Sequence, residues 1–314
     1  MRRTITALFI SLLALAAASC GDDDGGGSGT ASPTGDGADF PVTVDAFNGE
    51  ITIDAQPERI VSISPTATEM LYAVGAGDQV VAVDDFSNFP EGTPITDLNA
   101  SEPNTEAIFG YEPDLVVMSD SDEEVADSLT DLEVPVIVQP AANTLDESYE
   151  QIEELGVATG HPDEGTEVVD QMRGDIEELA ATVDVDRDEP LTYYHELDDT
   201  LFTVTSNTFI GELYALAGLE NIADAAQGDA GDYPQLSAEY LIDADPDLVF
   251  LADTKCCGQD LDTFAARPGF GELTAVADGT VIELDDDIAS RWGPRVVDFF
   301  ELIIEAVNSV PAGQ

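Results

Sequence analysis

Two stretches, Glu112-Pro113-Asp114-Leu115-Val116-Val117-Met118-Ser119-Asp120 and Asp245-Pro246-Asp247-Leu248-Val249-Phe250-Leu251-Ala252-Asp253, decide the fold. In each, an acidic residue, a proline and an aspartate make a turn into a short apolar run without alternation. That is the pattern of a strand covered on both faces in a parallel sheet. Upstream of the first copy, Arg59 to Pro65 reads as a β-rich run, and Thr66 to Val74 as a helix stopped by Gly75. In the second half, Leu201 to Asn207 reads as the matching strand, Phe209 to Ala217 as the matching helix and Gly218 as its stop, which sets Glu69 on Glu212. Strand, helix and strand recur, so the repeat predicts two α/β lobes.

Between the halves, Val168, Val169, Met172, Ile176, Leu179, Ala180 and Val183 follow a helical period with Asp and Glu between them. One helix of about 20 residues spans about 30 Å at 1.5 Å per residue, enough to bridge two domains. A last helix is expected from Pro294 to Val307, burying Val296, Val297, Phe300, Ile303, Ile304 and Val307. The expected fold class is α/β, with two Rossmann-like lobes joined by a single long helix and a ligand cleft between them. The lobes are placed at residues 40–160 and 186–314, and the bridging helix at 161–185.

Residues 1–19 have the layout of a signal peptide: Met1-Arg2-Arg3, an apolar run from Ala7 to Ala18, then small residues. The run is shorter than the roughly 20 apolar residues that span a bilayer. Ala17-Ala18-Ser19-Cys20 resembles a bacterial lipobox, with Ala17 where Leu is more common, which implies a lipid on Cys20; an ordinary signal cut near a cysteine is the alternative. Residues 20–39 are rich in Gly, Ser and Asp and suit a flexible tether. The expected location is outside the cell, lipid-anchored on the outer face of the cytoplasmic membrane.

The chain carries 66 acidic residues against 9 Lys and Arg, a net charge of −57. So few cations cannot build the basic surface that nucleic acid or an anionic membrane face requires. With 43% hydrophobic residues the chain still has the material for a core. Most carboxylates must be solvated. Their mutual repulsion disfavours the compact state at low ionic strength and salt relieves it, as suits an exported protein of a saline habitat. Two His and three Cys argue against a metal site built on imidazole or thiolate.

Pro57-Glu58-Arg59-Ile60-Val61-Ser62-Ile63-Ser64-Pro65-Thr66-Ala67-Thr68-Glu69-Met70-Leu71, with Gly75 and Val80-Val81-Ala82-Val83, is similar to the N-terminal signature of substrate-binding proteins serving ABC importers of cobalamin and ferric siderophores. The resemblance extends over roughly residues 40–307, and the lipobox-like segment ahead of it, both proline-aspartate turns and the bridging helix fall where that family has them. It implies a monomeric, rigid pair of lobes that opens modestly around a corrinoid (vitamin B12) or Fe(III) siderophore. It implies no cofactor of its own, and an ABC transporter permease dimer with its ATPase as partner. It also implies one surface glutamate per lobe that docks into permease arginines. Here these are Glu106 and Glu239, each seven residues before its proline, where a helix N-terminus favours a carboxylate and Arg pairs with it bidentately. Haem or another metal chelate is the alternative ligand, and a calcium-binding adhesion module the alternative class, though no Asp-x-Asp-x-Asp loop supports it. An enzyme is not expected: no nucleophile elbow, HExxH or glycine-rich phosphate loop is present.

The ligand site is expected on loops at the C-terminal ends of strands. In the first lobe these offer Ser64, Pro65 and Phe86. In the second, the cluster Arg291-Trp292-Gly293-Pro294-Arg295 joins the sole Trp to two scarce cations, suiting a broad conjugated or metal-chelate ligand by stacking and bidentate bonding. A core Trp292, with Arg295 neutralising neighbouring acids, is the competing reading. His195 follows a strand read over Leu191 to Tyr194 and is a candidate to approach a bound metal centre or donate to a ligand amide, a structural histidine being the alternative; at most one of Tyr193 and Tyr194 faces the cleft, and Tyr193 is the candidate. Cys256 and Cys257 sit about 3.8 Å apart at Cα, below the usual disulfide range. A vicinal disulfide, two thiols or a soft-metal contact are all open, with the disulfide preferred in an oxidising exterior.

Overall fold

The computed structural model describes residues 39–120, 122–183, 189–226 and 231–311; the signal, Cys20 and most of the tether lie outside them. The chain enters through an antiparallel hairpin, β1 (Val42–Ala46) and β2 (Gly49–Ile53). The first lobe follows as β3 (Ile60–Ile63), α1 (Pro65–Ala73), β4 (Val80–Asp84), β5 (Ile95–Leu98), α2 (Thr105–Phe109), β6 (Leu115–Met118), α3 (Glu123–Asp131) and β7 (Val136–Val138). Its five strands are parallel in the order β5-β4-β3-β6-β7. Then come α4 (Leu145–Thr159) and α5 (Pro162–Ala180).

The second lobe contains β8 (Thr192–Glu196), α6 (Phe209–Leu216), β9 (Glu220–Asn221), α7 (Ala238–Ala244), β10 (Leu248–Leu251), α8 (Thr254–Cys257), α9 (Leu261–Ala265), α10 (Thr274–Asp278), β11 (Val281–Glu283), α11 (Asp286–Ala289) and α12 (Val296–Ser309). Its sheet is also parallel, in the order β11-β10-β8-β9.

The two proline-aspartate turns act alike, each holding the start of the neighbouring strand. Asp114 accepts the backbone N–H groups of Glu58 at 2.8 Å and Arg59 at 2.9 Å, just ahead of β3. Asp247 accepts the N–H and hydroxyl of Thr192, both at 2.8 Å, at the start of β8. Each aspartate clips the central strand pair of its sheet at the N-terminal end, and every residue of β6 and β10 is buried. The residue before each proline takes a left-handed backbone, φ 51° at Glu112 and 44° at Asp245.

One sequence expectation is corrected. Leu201–Asn207 is no sheet strand; the counterpart of β3 in the second sheet is β8, which pairs with β10 as β3 pairs with β6. Leu201 has φ 71°, and its neighbours bond instead to the segment around Pro234, with Thr203 N–H on Pro234 O and Leu236 N–H on Leu201 O, both at 2.9 Å. This irregular pairing carries the chain into α6, so the β-rich composition is real but the parallel position is already taken by β8. The stops of α1 and α6 do correspond: Gly75 and Gly218 have φ of 88° and 75°, where a side chain would be strained.

Helix α5 buries Gly165, Val169, Met172 and Ile176. It crosses α4 at two glycines: a Cβ on Gly156 would lie 2.9 Å from His161 O and 3.1 Å from the Gly165 Cα, so only glycine permits this approach. Helix α12 buries Val296, Phe299, Phe300, Ile303, Ile304 and Val307, with Val297 half-buried. Its side chains join one cluster with Met172 and Ile176 of α5 and Met70 and Leu71 of α1. The core is therefore continuous from one lobe into the other.

Candidate ligand-binding cleft

In the first lobe, a buried polar chain shapes the loop after β4. The Ser64 hydroxyl caps α1 by accepting the Ala67 N–H at 3.3 Å. Within α1, the Thr68 hydroxyl donates to Ser62 Oγ at 2.8 Å and lies 3.0 Å from Ser87 Oγ. Asp84 accepts from the Ser87 hydroxyl at 2.5 Å and from the Phe86 N–H at 2.9 Å. Burial raises the Asp84 carboxyl above its ordinary range, against those hydrogen bonds. This network pins the loop to the sheet while leaving Phe86 58% exposed. An aromatic ring held in water by a rigid turn is available to a ligand. Ser64 is buried and occupied as a cap, and Pro65 is the first residue of α1.

In the second lobe, β10 ends at Leu251, and Asp253 directly precedes α8. Asp286 holds α8 from behind, accepting the Lys255 N–H at 3.0 Å and the Cys256 N–H at 2.6 Å. Cys256 and Cys257 are joined as a disulfide, and both are exposed. Lys255 Nζ reaches Asp285 at 2.5 Å and Asp287 at 3.4 Å. Asp287 in turn accepts from Asn88 of the first lobe at 2.9 Å. The Phe86 loop and the disulfide turn therefore flank one interlobe contact.

Beneath this rim lies an acidic pair. Glu196 is buried and takes both guanidinium ends of Arg267, at 2.6 and 2.7 Å. Asp253 is fully buried, and neither of its carboxylate oxygens has a hydrogen-bond partner among the described residues. Burial first, and the nearby Glu196 second, push Asp253 up to about 7, with Arg267 opposing. The unfolded chain releases this proton near pH 3.9, roughly the ordinary Asp value. Between the two pH values the folded state holds the extra proton, so stability from this group is full at low pH and lost as pH rises through about 7. Asp253→Asn is expected to flatten the fall in urea stability between pH 5 and pH 8; an unchanged slope would refute the assignment.

The Arg291–Arg295 cluster needs correction. Arg291 is buried and fully engaged: Nη1 donates to Glu69 at 2.7 Å and Asn88 at 3.1 Å, and Nη2 to Phe86 O at 3.0 Å and Asp287 at 2.7 Å. Arg295 donates to both oxygens of Glu69, at 2.6 and 2.9 Å, and lies over the Phe89 ring. Trp292 Nε1 donates to Gln151 at 2.8 Å, and its carbonyl accepts from Ser148. These groups join the lobes, and their donors face protein. Tyr193 and His195 are corrected too. Both lie inside β8 and are buried; the Tyr193 hydroxyl accepts from Asn221 at 2.7 Å, and His195 Nδ1 pairs with the Tyr214 hydroxyl at 2.8 Å. Burial pushes His195 down to about 3, so it is a neutral core residue.

Sequence reasoning missed the partner of the cluster. Glu69 of α1 reaches Arg291 and Arg295 of the second lobe, and Glu212 of α6 accepts the Leu145 N–H of α4 at 2.7 Å in the opposite direction. The repeat aligned these glutamates, which was the available signal. Glu106 and Glu239 are exposed in the first turns of α2 and α7, each helix capped by a side chain, Asn104 or Ser237, two residues before the glutamate. A groove of about 780 Å³ lies elsewhere, beside Phe47, Gln139 and the acidic face of α4. Among the described residues, no group of three or more His, Cys, Asp or Glu is arranged to hold a metal ion, and no helix is long and apolar enough to cross a membrane.

Residues 60–288 match the profile of the family described as Periplasmic binding protein. The chain belongs to that family. Its members bind ligands for transport and are not catalysts. The chain is 29% identical to an uncharacterized ABC transporter substrate-binding lipoprotein, YvrC, of Bacillus subtilis, covering 85% of this chain and 86% of that one. It is 32% identical to a cobalamin-binding protein of Halobacterium salinarum, covering 82% of this chain and 72% of that one. Among solved structures, it superposes on the periplasmic vitamin B12 binding protein BtuF of Vibrio cholerae with a TM-score of 0.66 at 26% identity, covering 81% and 97% of the two chains.

Proposed function

We propose that this binding protein captures a corrinoid in the cleft between its lobes and presents it to an ABC importer permease. The observation that carries the reading is that a relative at 32% identity and a superposable structure at 26% are both named for cobalamin, each aligned over more than four-fifths of this chain. The exposed Phe86 ring on a pinned loop supports it, since a broad conjugated ligand gains by lying on an aromatic face. Glu106 and Glu239 are the docking carboxylates in this reading, one per lobe, and Cys20 carries the lipid that keeps the protein beside its permease.

Trp292 is the sole tryptophan, and it sits at the lobe junction. Its emission, corrected for ligand absorption, is expected to respond saturably to cyanocobalamin and cobinamide, with the ligand recovered unchanged. A saturable response confined to haemin, a ferric hydroxamate or a ferric catecholate would reassign the ligand. No response across the five compounds from folded protein would sink the reading.

A further inference from the structure

Cys256 and Cys257 are adjacent, so their disulfide closes a ring with no intervening residue. A disulfide restrains the unfolded chain through the loop it closes, and here that loop is nil. Both cysteines are exposed, so their sulfurs do not fill the core. The bond therefore fixes the shape of one turn, and that turn stands at the C-terminal end of β10. We propose that the Cys256–Cys257 disulfide forms the second-lobe wall of the ligand cleft, facing the Phe86 loop of the first lobe, and that its oxidised state holds that wall in place. This rests on the corrinoid reading of the cleft.

The contacts run continuously between the two walls. Asp286 engages the N–H groups of Lys255 and Cys256 from behind. Lys255 meets Asp287, Asp287 meets Asn88, and Asn88 stands two residues beyond Phe86. An oxidised pair has no S–H donor and presents polarizable sulfur, which makes favourable contacts with conjugated faces. Reduction by a dithiol delivers two electrons and two protons. The S–S bond becomes two thiols, and the dithiol closes to its own disulfide. The turn then gains side-chain freedom and two weak donors, and the wall is lost.

The test compares the oxidised full chain, the same protein reduced with dithiothreitol, and Cys256→Ser/Cys257→Ser. Reduction and the double substitution are each expected to weaken cyanocobalamin binding about tenfold, which converts to roughly 1.4 kcal/mol, the upper end for a sulfur–aromatic contact, while the thermal midpoint of the ligand-free protein stays put. Equal affinity in all three overturns the proposal, as does a lowered midpoint in either altered form, which would mark a fold staple. Hydrogen exchange on ligand-free protein does not depend on the ligand's identity. Reduction is expected to speed exchange at residues 254–260 and, across the cleft, at 85–89; unchanged exchange at 85–89 overturns the proposal. If the wild type binds none of the five compounds, the corrinoid reading fails, and the exchange measurement alone decides this one.

Discussion

Replacing Glu69 by Ala is expected to lower the unfolding free energy by about 3–5 kcal/mol, the cost of breaking a buried ion pair from one side. The carboxylate is 3% exposed and holds two guanidinium groups at 2.6 to 2.9 Å. Without it, Arg291 keeps Asp287 and the Phe86 carbonyl, but Arg295 keeps little beyond the face of Phe89. Two cations would then sit in a low-dielectric junction with insufficient compensation. Glu69→Gln should cost less, because one oxygen acceptor survives. Urea unfolding measures both. A loss below about 1 kcal/mol for the alanine variant, the scale of an exposed pair, would show that the junction is wet and the clamp unimportant. Arg291 also holds the Phe86 carbonyl, so the Phe86 loop and the lobe junction share one guanidinium.

The double variant Glu106→Ala/Glu239→Ala is expected to abolish transport while leaving ligand capture intact. Truncating one partner of a hydrogen-bonded interfacial charge pair costs about 2 kcal/mol or more, roughly 30-fold in affinity, and two such losses act together on one docking event. Both residues are exposed, and neither is among the residues that hold the Phe86 loop or the disulfide turn, so the cleft should not register the change. Uptake of labelled cyanocobalamin by cells, set beside titration of the purified variant, separates the two effects. Unimpaired uptake would refute the docking role. A shifted cyanocobalamin Kd would show that the glutamates act on the ligand site instead.

The lobes were legible because proline and aspartate are chemically specific: Asp114 and Asp247 each clip the start of the neighbouring strand through the bonds their carboxylates accept. The strand over Leu201–Asn207 misled because β-rich composition does not say which segment holds the sheet position. Tyr193 and His195 were misplaced for a related reason. A strand covered by helices on both faces buries every side chain, so aromatic and imidazole groups read as ligand contacts become core. The cluster Arg291-Trp292-Arg295 was found through scarcity, and it does lie where the lobes meet. What scarcity could not show was that Glu69, far away in sequence, already occupies those donors. Asp253 was invisible among 66 acids, because its distinction is burial without a partner, and burial is a property of the fold.

The most direct measurement of the central claim is the crystal structure of the complex with cyanocobalamin. The account expects the corrin ring between the Phe86 loop and the Cys256–Cys257 disulfide, with the Glu69–Arg291–Arg295 clamp closed behind it. Ligand density in the groove beside Phe47, or none between the lobes at saturating cyanocobalamin, would contradict it.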